Sequence, residues 1–200
     1  MSDLVITVRE ALETDFDWLR ERVVESSVYS IPHVRDVPND LVRQAANEDF
    51  DRVLAESDHV VFLIAQNQHQ ERMGLLILNL DHRSDATGER QSLIEDLDVE
   101  PRFWGTAAVS YLVKRAAQVT AENGLEYMVG RVSVGNRRTL LKSLRLGFQI
   151  ERYHFCMGCD PTGPVPLPGR DAEQRAHDVS RNQRKLLAKR RAKKRAKEKL

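Results

Sequence analysis

The segment Leu97-Asp98-Val99-Glu100-Pro101-Arg102-Phe103-Trp104-Gly105-Thr106-Ala107 constrains what this chain can fold into more than any other. Ser92 to Val99 reads as a strand, and Pro101 ends it because proline cannot donate to a ladder. A turn with glycine follows. Gly105 to Glu122 then reads as a helix with Val109, Leu112, Val113, Ala116 and Val119 on one side, closed by Asn123-Gly124. A helix start leaves backbone N–H groups unpaired and carries partial positive charge. Gly105 and Ala107 allow a phosphate to come close, and Arg102 offers it a direct contact.

The flanking sequence supplies the other elements. Leu4 to Arg9 alternates apolar and polar residues as a half-buried strand does. Thr14 and Asp17 have the spacing of a capping box ahead of a helix that buries Phe16, Leu19 and Val23. A loop with Tyr29, Pro32, His33 and Pro38 leads to a second helix from Asn39 or Asp40, with Leu41, Ala45 and Val53 expected inside. His59–Gln66 and Arg72–Leu80 read as a hairpin, and 81–90 as a loop. After the long helix come a strand over Glu126–Val134, a short helix over Asn136–Leu146 stopped by Gly147, and a last strand over Phe148–Met157. This order of strand, two helices, three strands, helix, strand, helix, strand is a mixed α/β pattern and not a doubly wound one.

Arg102-x-x-Gly105-x-Ala107, placed after a strand ending in Val-x-Pro, resembles the Gln/Arg-x-x-Gly-x-Gly/Ala signature of the Gcn5-related N-acetyltransferases (GNAT). Asn136 followed by Leu146-Gly147-Phe148 is similar to a second stretch of that family. The resemblance covers residues 4–158 in element order. It implies an α+β fold with a mixed, mostly antiparallel central sheet flanked by helices, and acetyl-CoA or another acyl-CoA as cofactor. The cofactor's pyrophosphate would rest on the backbone of Arg102, Phe103, Trp104, Gly105, Thr106 and Ala107. Its pantetheine arm would run along the strand ending at Val99, with a bulge near Leu97 to Val99 aiming an amide at the thioester carbonyl. Asn136 would hydrogen-bond that arm or its bound water. A primary amine would then attack the thioester directly, aided by proximity, carbonyl polarisation and proton removal.

The chain departs from the family pattern at two functional positions. Ser143 stands where a tyrosine often protonates the leaving thiolate, and Arg131 where some members carry a general-base glutamate. Val109 replaces a common small residue and Trp104 a frequent arginine. The acid/base candidates are Glu95 and Asp96, of which regular pleating lets only one face the cleft. Glu95 shares parity with Leu93 and Leu97, which places it on their apolar face unless a bulge intervenes. Tyr153 and His154, with Tyr29 and His33, are weaker candidates.

Charge divides the chain. Residues 181–200 hold eleven Lys/Arg against the single acid Glu198, a balance of +10, while residues 1–180 hold 20 basic and 29 acidic residues. Segment 1–160 is expected to be the catalytic domain, 161–170 a Pro/Gly-rich linker, and 171–200 a helical or disordered basic tail. The tail suits salt-sensitive, sequence-blind contact with RNA, DNA or the ribosome, or docking on an acidic protein surface including its own body, or plain solvation. It lacks aromatics for base stacking. A nucleic-acid-binding protein on a catalytically silent acyltransferase fold is the rival reading.

Cys156 and Cys159 are expected as reduced thiols, since a zinc site needs two more ligands and only His154 is close in sequence. No metal is expected. The longest apolar run, Val60 to Ala65, is too short to cross a bilayer, and the first residues lack a signal-peptide pattern. The expectation is therefore a cytoplasmic protein without a membrane role. Homodimer pairing through C-terminal strands is common in the family.

Overall fold

Strand and helix periods sort the apolar residues onto two faces of one sheet. In the computed structural model, residues 4–32, 35–55, 57–133 and 136–152 are described. The chain divides into a unit over Met1–Phe155 and a second over Cys156–Leu200, and every described residue belongs to the first. The elements are β1 (Ile6–Glu10), α1 (Phe16–Ser27), α2 (Asn39–Ala55), β2 (Val60–Asn67), β3 (Arg72–Arg83), β4 (Arg90–Val99), α3 (Ala108–Glu122), β5 (Met128–Gly130) and α4 (Arg137–Leu146). The strands lie in the order β1-β2-β3-β4-β5. The first three pairings are antiparallel and β4–β5 is parallel.

One face packs on α3: Leu63, Ala65, Leu76 and Leu78 meet Leu112, Val113, Ala116 and Val119. The other packs on α1 and α2, where Phe62, Ile64, Leu75 and Ile77 meet Leu19, Phe50 and Val53. Phe62 takes Phe16 and Phe50 edge-on, with ring centroids 5.4 and 6.2 Å away. Each such fully buried Leu, Ile or Phe stabilises the fold by roughly 1.5–3 kcal/mol. Gly74 lets β3 and β4 approach closely: a Cβ there would lie 2.5 Å from the Asp98 carbonyl oxygen. The closeness sits beside the strand segment that shapes the site.

Several expectations are corrected. The Thr14/Asp17 capping box does not form. Thr14 lies in a 3-10 turn, Asp15 is the N-cap of α1, and the Asp15 carboxylate accepts the Leu12 N–H at 2.8 Å. In α2 only Phe50 and Val53 are buried, whereas Leu41 is 57% exposed and Ala45 is exposed too. Val42, Ala45 and Ala46 of that half of the helix line a cleft, not the core. Helix α3 starts at Ala108, later than Gly105, because residues 104–107 make the turn into it. Strand β5 holds three residues where nine were expected, and 148–152 form no strand. The rest of that expected strand, like His33, Cys156, Cys159, the linker and the tail, lies outside the described residues.

Candidate functional site

Two strand irregularities build the site. In the β3–β4 pairing Leu78 faces Ile94 but Ile77 faces Asp96, so Glu95 is an extra residue in β4. This bulge lies earlier than the Leu97 to Val99 region expected from the resemblance. It reverses the side-chain parity of everything after it. Ile94 and Leu97 both pack on the α3 side, and Glu95 and Asp96 both line the cleft on the α1/α2 side. The expectation that only one of these carboxylates can face the cleft therefore fails.

The second irregularity is at the other edge of β4. Strand β5 pairs with it only from Ser92 to Ile94. From Glu95 to Val99 that edge has no strand beside it among the described residues. It continues into the turn where Gly105, at φ +91, sets the entry to α3. The Ala107 carbonyl takes the amides of Ser110 and Tyr111, and the Thr106 hydroxyl oxygen accepts the Ala108 amide at 3.4 Å. Among the described residues the amides of Gly105, Ala107 and Val109 have no protein acceptor. Three unpaired N–H groups at the start of a 15-residue helix are the local chemistry of anion binding.

Of the other candidates, Arg102, Phe103 and Trp104 lie at this turn. Arg102 is exposed, bonded to Glu100 at 2.7 Å and stacked on Phe103 at 4.5 Å, while Phe103 packs against the core. Trp104 is 48% exposed and donates its indole N–H to the Val99 carbonyl at 2.6 Å; Arg138 from α4 covers its ring at 4.8 Å. Asn136 caps α4, its Oδ1 accepting the Thr139 amide at 3.1 Å. Ser143 is half-buried in α4 and is not part of the cleft lining. Arg131 is exposed just after β5, and Tyr29 is 64% exposed after α1. Tyr153 and His154 lie outside the described residues.

The cleft between α1, α2 and β4 has a volume of ≈ 510 Å³. At its floor the Asp96 carboxyl is raised to about 7, chiefly because burial penalises its charge, with the Asp98 carboxylate adding to the effect. The Leu97 amide donates to Asp96 Oδ1 at 2.7 Å and, like Ser26 and the charge of Arg22, works in the opposite direction. Arg22 is committed elsewhere: its Nε donates to Asp98 at 3.0 Å and its Nη1 to Glu25 at 2.6 Å. Glu95 is held by Asn79, whose Nδ2 donates to it at 3.2 Å. Sequence reasoning passed over Arg22, Ser26, Asn79 and Asp98. Only Asp98 left a signal, as a third acid after Glu95 and Asp96 within four residues of one strand.

Among the described residues no group of three or more His, Cys, Asp or Glu could hold a metal ion, and no helix is long and apolar enough to cross a membrane. No protein-family model matches the sequence, and comparison with curated proteins gives no match. Solved structures do match. A Pyrococcus furiosus protein provisionally assigned as an acetyl transferase aligns over 78% of this chain and all of its own, at TM-score 0.66 and 17% identity. The enzyme AAC(6')-Iy, solved with the bisubstrate analogue CoA-S-monomethyl-acetylneamine, aligns over 78% of this chain and 99% of its own, at 0.57 and 18%. A transcriptional regulator from Bacillus halodurans C-125 aligns over 78% and 100%, at 0.57 and 19%. At such identities the likeness establishes a shared fold: the mixed sheet flanked by helices is that of solved acetyltransferases.

Proposed function

We propose that this chain is an acyl-CoA-dependent N-acetyltransferase that acylates a primary amine, with Asp96 as its general base. The observation that carries this reading is the bulge at Glu95. It turns Asp96 into the cleft at the point where the other edge of β4 runs unpaired toward the Gly105 turn. One strand thus borders both a place for an amine and a place for a long, anionic cofactor. The fold shared with CoA-binding AAC(6')-Iy supports the same assignment.

Bound acetyl-CoA would supply the acyl group as a thioester. The unpaired amides of Gly105, Ala107 and Val109 fit its pyrophosphate, with Arg102 exchanging part of its Glu100 contact for a phosphate oxygen. Asn136 has its Nδ2 left to donate, since Oδ1 already serves the α4 cap. The Leu97 amide is engaged by Asp96, so it polarises the carbonyl only if that contact opens. Asp96 accepts a proton from the incoming ammonium, which frees the nitrogen lone pair. A base near neutrality holds its proton weakly enough to be free of it at pH 7 and strongly enough to take another. Ser143 is a poor proton donor, but a thiol of ordinary pKa, about 8.5, leaves tolerably without one.

Acetyl-CoA at millimolar concentration should raise the melting temperature, and Ala107→Glu should remove the rise by placing bulk and negative charge at the pyrophosphate. Ala107 is exposed, so that variant keeps the fold. Stabilisation of about 2.7 kcal/mol is expected at a hundredfold excess over Kd. No shift in the unmodified protein would leave the rival reading, a nucleic-acid-binding protein on a silent acyltransferase fold, which Ser143 and Arg131 favour. The +10 charge of 181–200 supports recruitment of the enzyme to an anionic partner such as RNA, a ribosome or an acidic protein. Full-length protein that elutes free of nucleic acid at low salt would count against the nucleic-acid form of that recruitment.

A further inference from the structure

The cleft differs between its walls and its charged ends, and the difference bears on the acceptor of the transferase reading, on which this inference rests. Val23, Val42, Ala46, Phe50, Val53 and Ile77 make the walls aliphatic or aromatic. Ser26, Ser27 and Ser30 also line the cleft, but the first two already donate to the Val23 and Val24 carbonyls, so a polyhydroxylated sugar would lose water from more hydroxyls than find partners, at a cost for each one. A hydrocarbon stem gains from the same burial. The place of Val42, Ala45 and Ala46 on this wall also explains why α2 shows an apolar pattern in its first half and yet leaves Ala45 exposed.

The charges are arranged unequally. Glu95 and Asp96 come from β4, where the amine must arrive. Arg35 comes from the connection between α1 and α2, and among the described residues it has no ion-pair partner. The cleft's other acid, Asp49, is paired with Arg52 at 2.6 Å. One ammonium is therefore favoured at the β4 end, while a second positive charge meets Arg35. Arg22, Glu25 and Asp98 surround the floor but are paired with one another.

We propose that the acceptor is a primary monoamine on an apolar stem, alkyl or arylalkyl, uncharged or anionic at its far end, and not a polyamine or an amino sugar. The test is a panel of hexylamine, phenethylamine, spermidine and neamine with saturating acetyl-CoA and the full-length protein, read as thiol release. The apolar monoamines should exceed spermidine and neamine in kcat/KM by about tenfold or more, the discrimination a few methylenes in an apolar pocket provide. Ala45→Asp places a charge on the wall at an exposed position outside the reacting groups. It should lower kcat/KM for hexylamine about tenfold and narrow its lead over spermidine.

Faster turnover of spermidine or neamine than of both monoamines overturns the inference, as does an unchanged hexylamine-to-spermidine ratio in Ala45→Asp. The melting shift with acetyl-CoA separates the two levels. A shift without transfer to either monoamine removes the acceptor class alone, whereas absence of both shift and transfer removes the transferase reading together with it.

Discussion

Asp15 and Asp96 are both carboxyls enclosed by protein near arginines, yet one is driven down and the other up. Asp15 receives Arg9 through two hydrogen bonds of 2.6 and 3.1 Å, Arg72 at 2.8 Å and the Leu12 amide at 2.8 Å. Its pKa falls from 3.8 to about 2, the Arg9 hydrogen bonds being the main cause. Asp96 feels the charge of Arg22 but makes no ion pair with it, because Arg22 is held by Asp98 and Glu25. Burial then dominates, and the carboxyl rises to about 7. What separates the lowered from the raised carboxyl here is whether the neighbouring arginine is bound to it or to another acid. The first ties β1 and β3 to the start of α1; the second is left poised to exchange a proton.

Asp96→Asn removes the base and should slow acetyl transfer by about 10²–10⁴-fold, measured as kcat/KM with acetyl-CoA binding unchanged. Asp98→Asn releases Arg22 and deletes a neighbouring negative charge, making Asp96 more like Asp15. The inflection of its pH–rate profile should move to lower pH by about one unit or more. Asp15→Asn leaves two arginines without their acid and should cost roughly 2 kcal/mol in urea unfolding at pH 7. Because the Asp15 pKa is depressed, this contribution is present above about 4 and disappears as pH falls through about 2, so the variant and the parent should converge in acid.

The opposite sign holds for Asp96. A raised carboxyl stabilises the fold below its unfolded value near 3.8, and that stability is lost as pH climbs through about 7. Asp96→Asn should therefore melt a few degrees higher than the parent at pH 8 and show no gain at pH 4. Lower melting at both pH values would mean that Asp96 is a structural acid after all.

Local patterns in the sequence carried much of the fold. The stripe Leu112, Val113, Ala116, Val119 is a helical period, and it packs as such. The Pro101 stop and the Gly105 turn are local chemistry and are found where expected. The bulge at Glu95 is different, because it exists only as a mismatch of β4 with Ile77 and Leu78 of β3. Parity along β4 alone cannot reveal it, and so the orientation of both carboxylates was not legible. Periodicity likewise could not tell a core position from a cleft wall, which is why Ala45 reads as buried and is exposed. The hold of Asp98 on Arg22 joins residues 76 positions apart and has no local trace.

Asp96 as the general base is tested most directly by the pH dependence of kcat/KM for acetyl transfer by the parent protein and by Asp96→Asn. The rate should rise through an inflection near 7 in the parent and show no such inflection in the variant. The same inflection in both proteins would contradict that role.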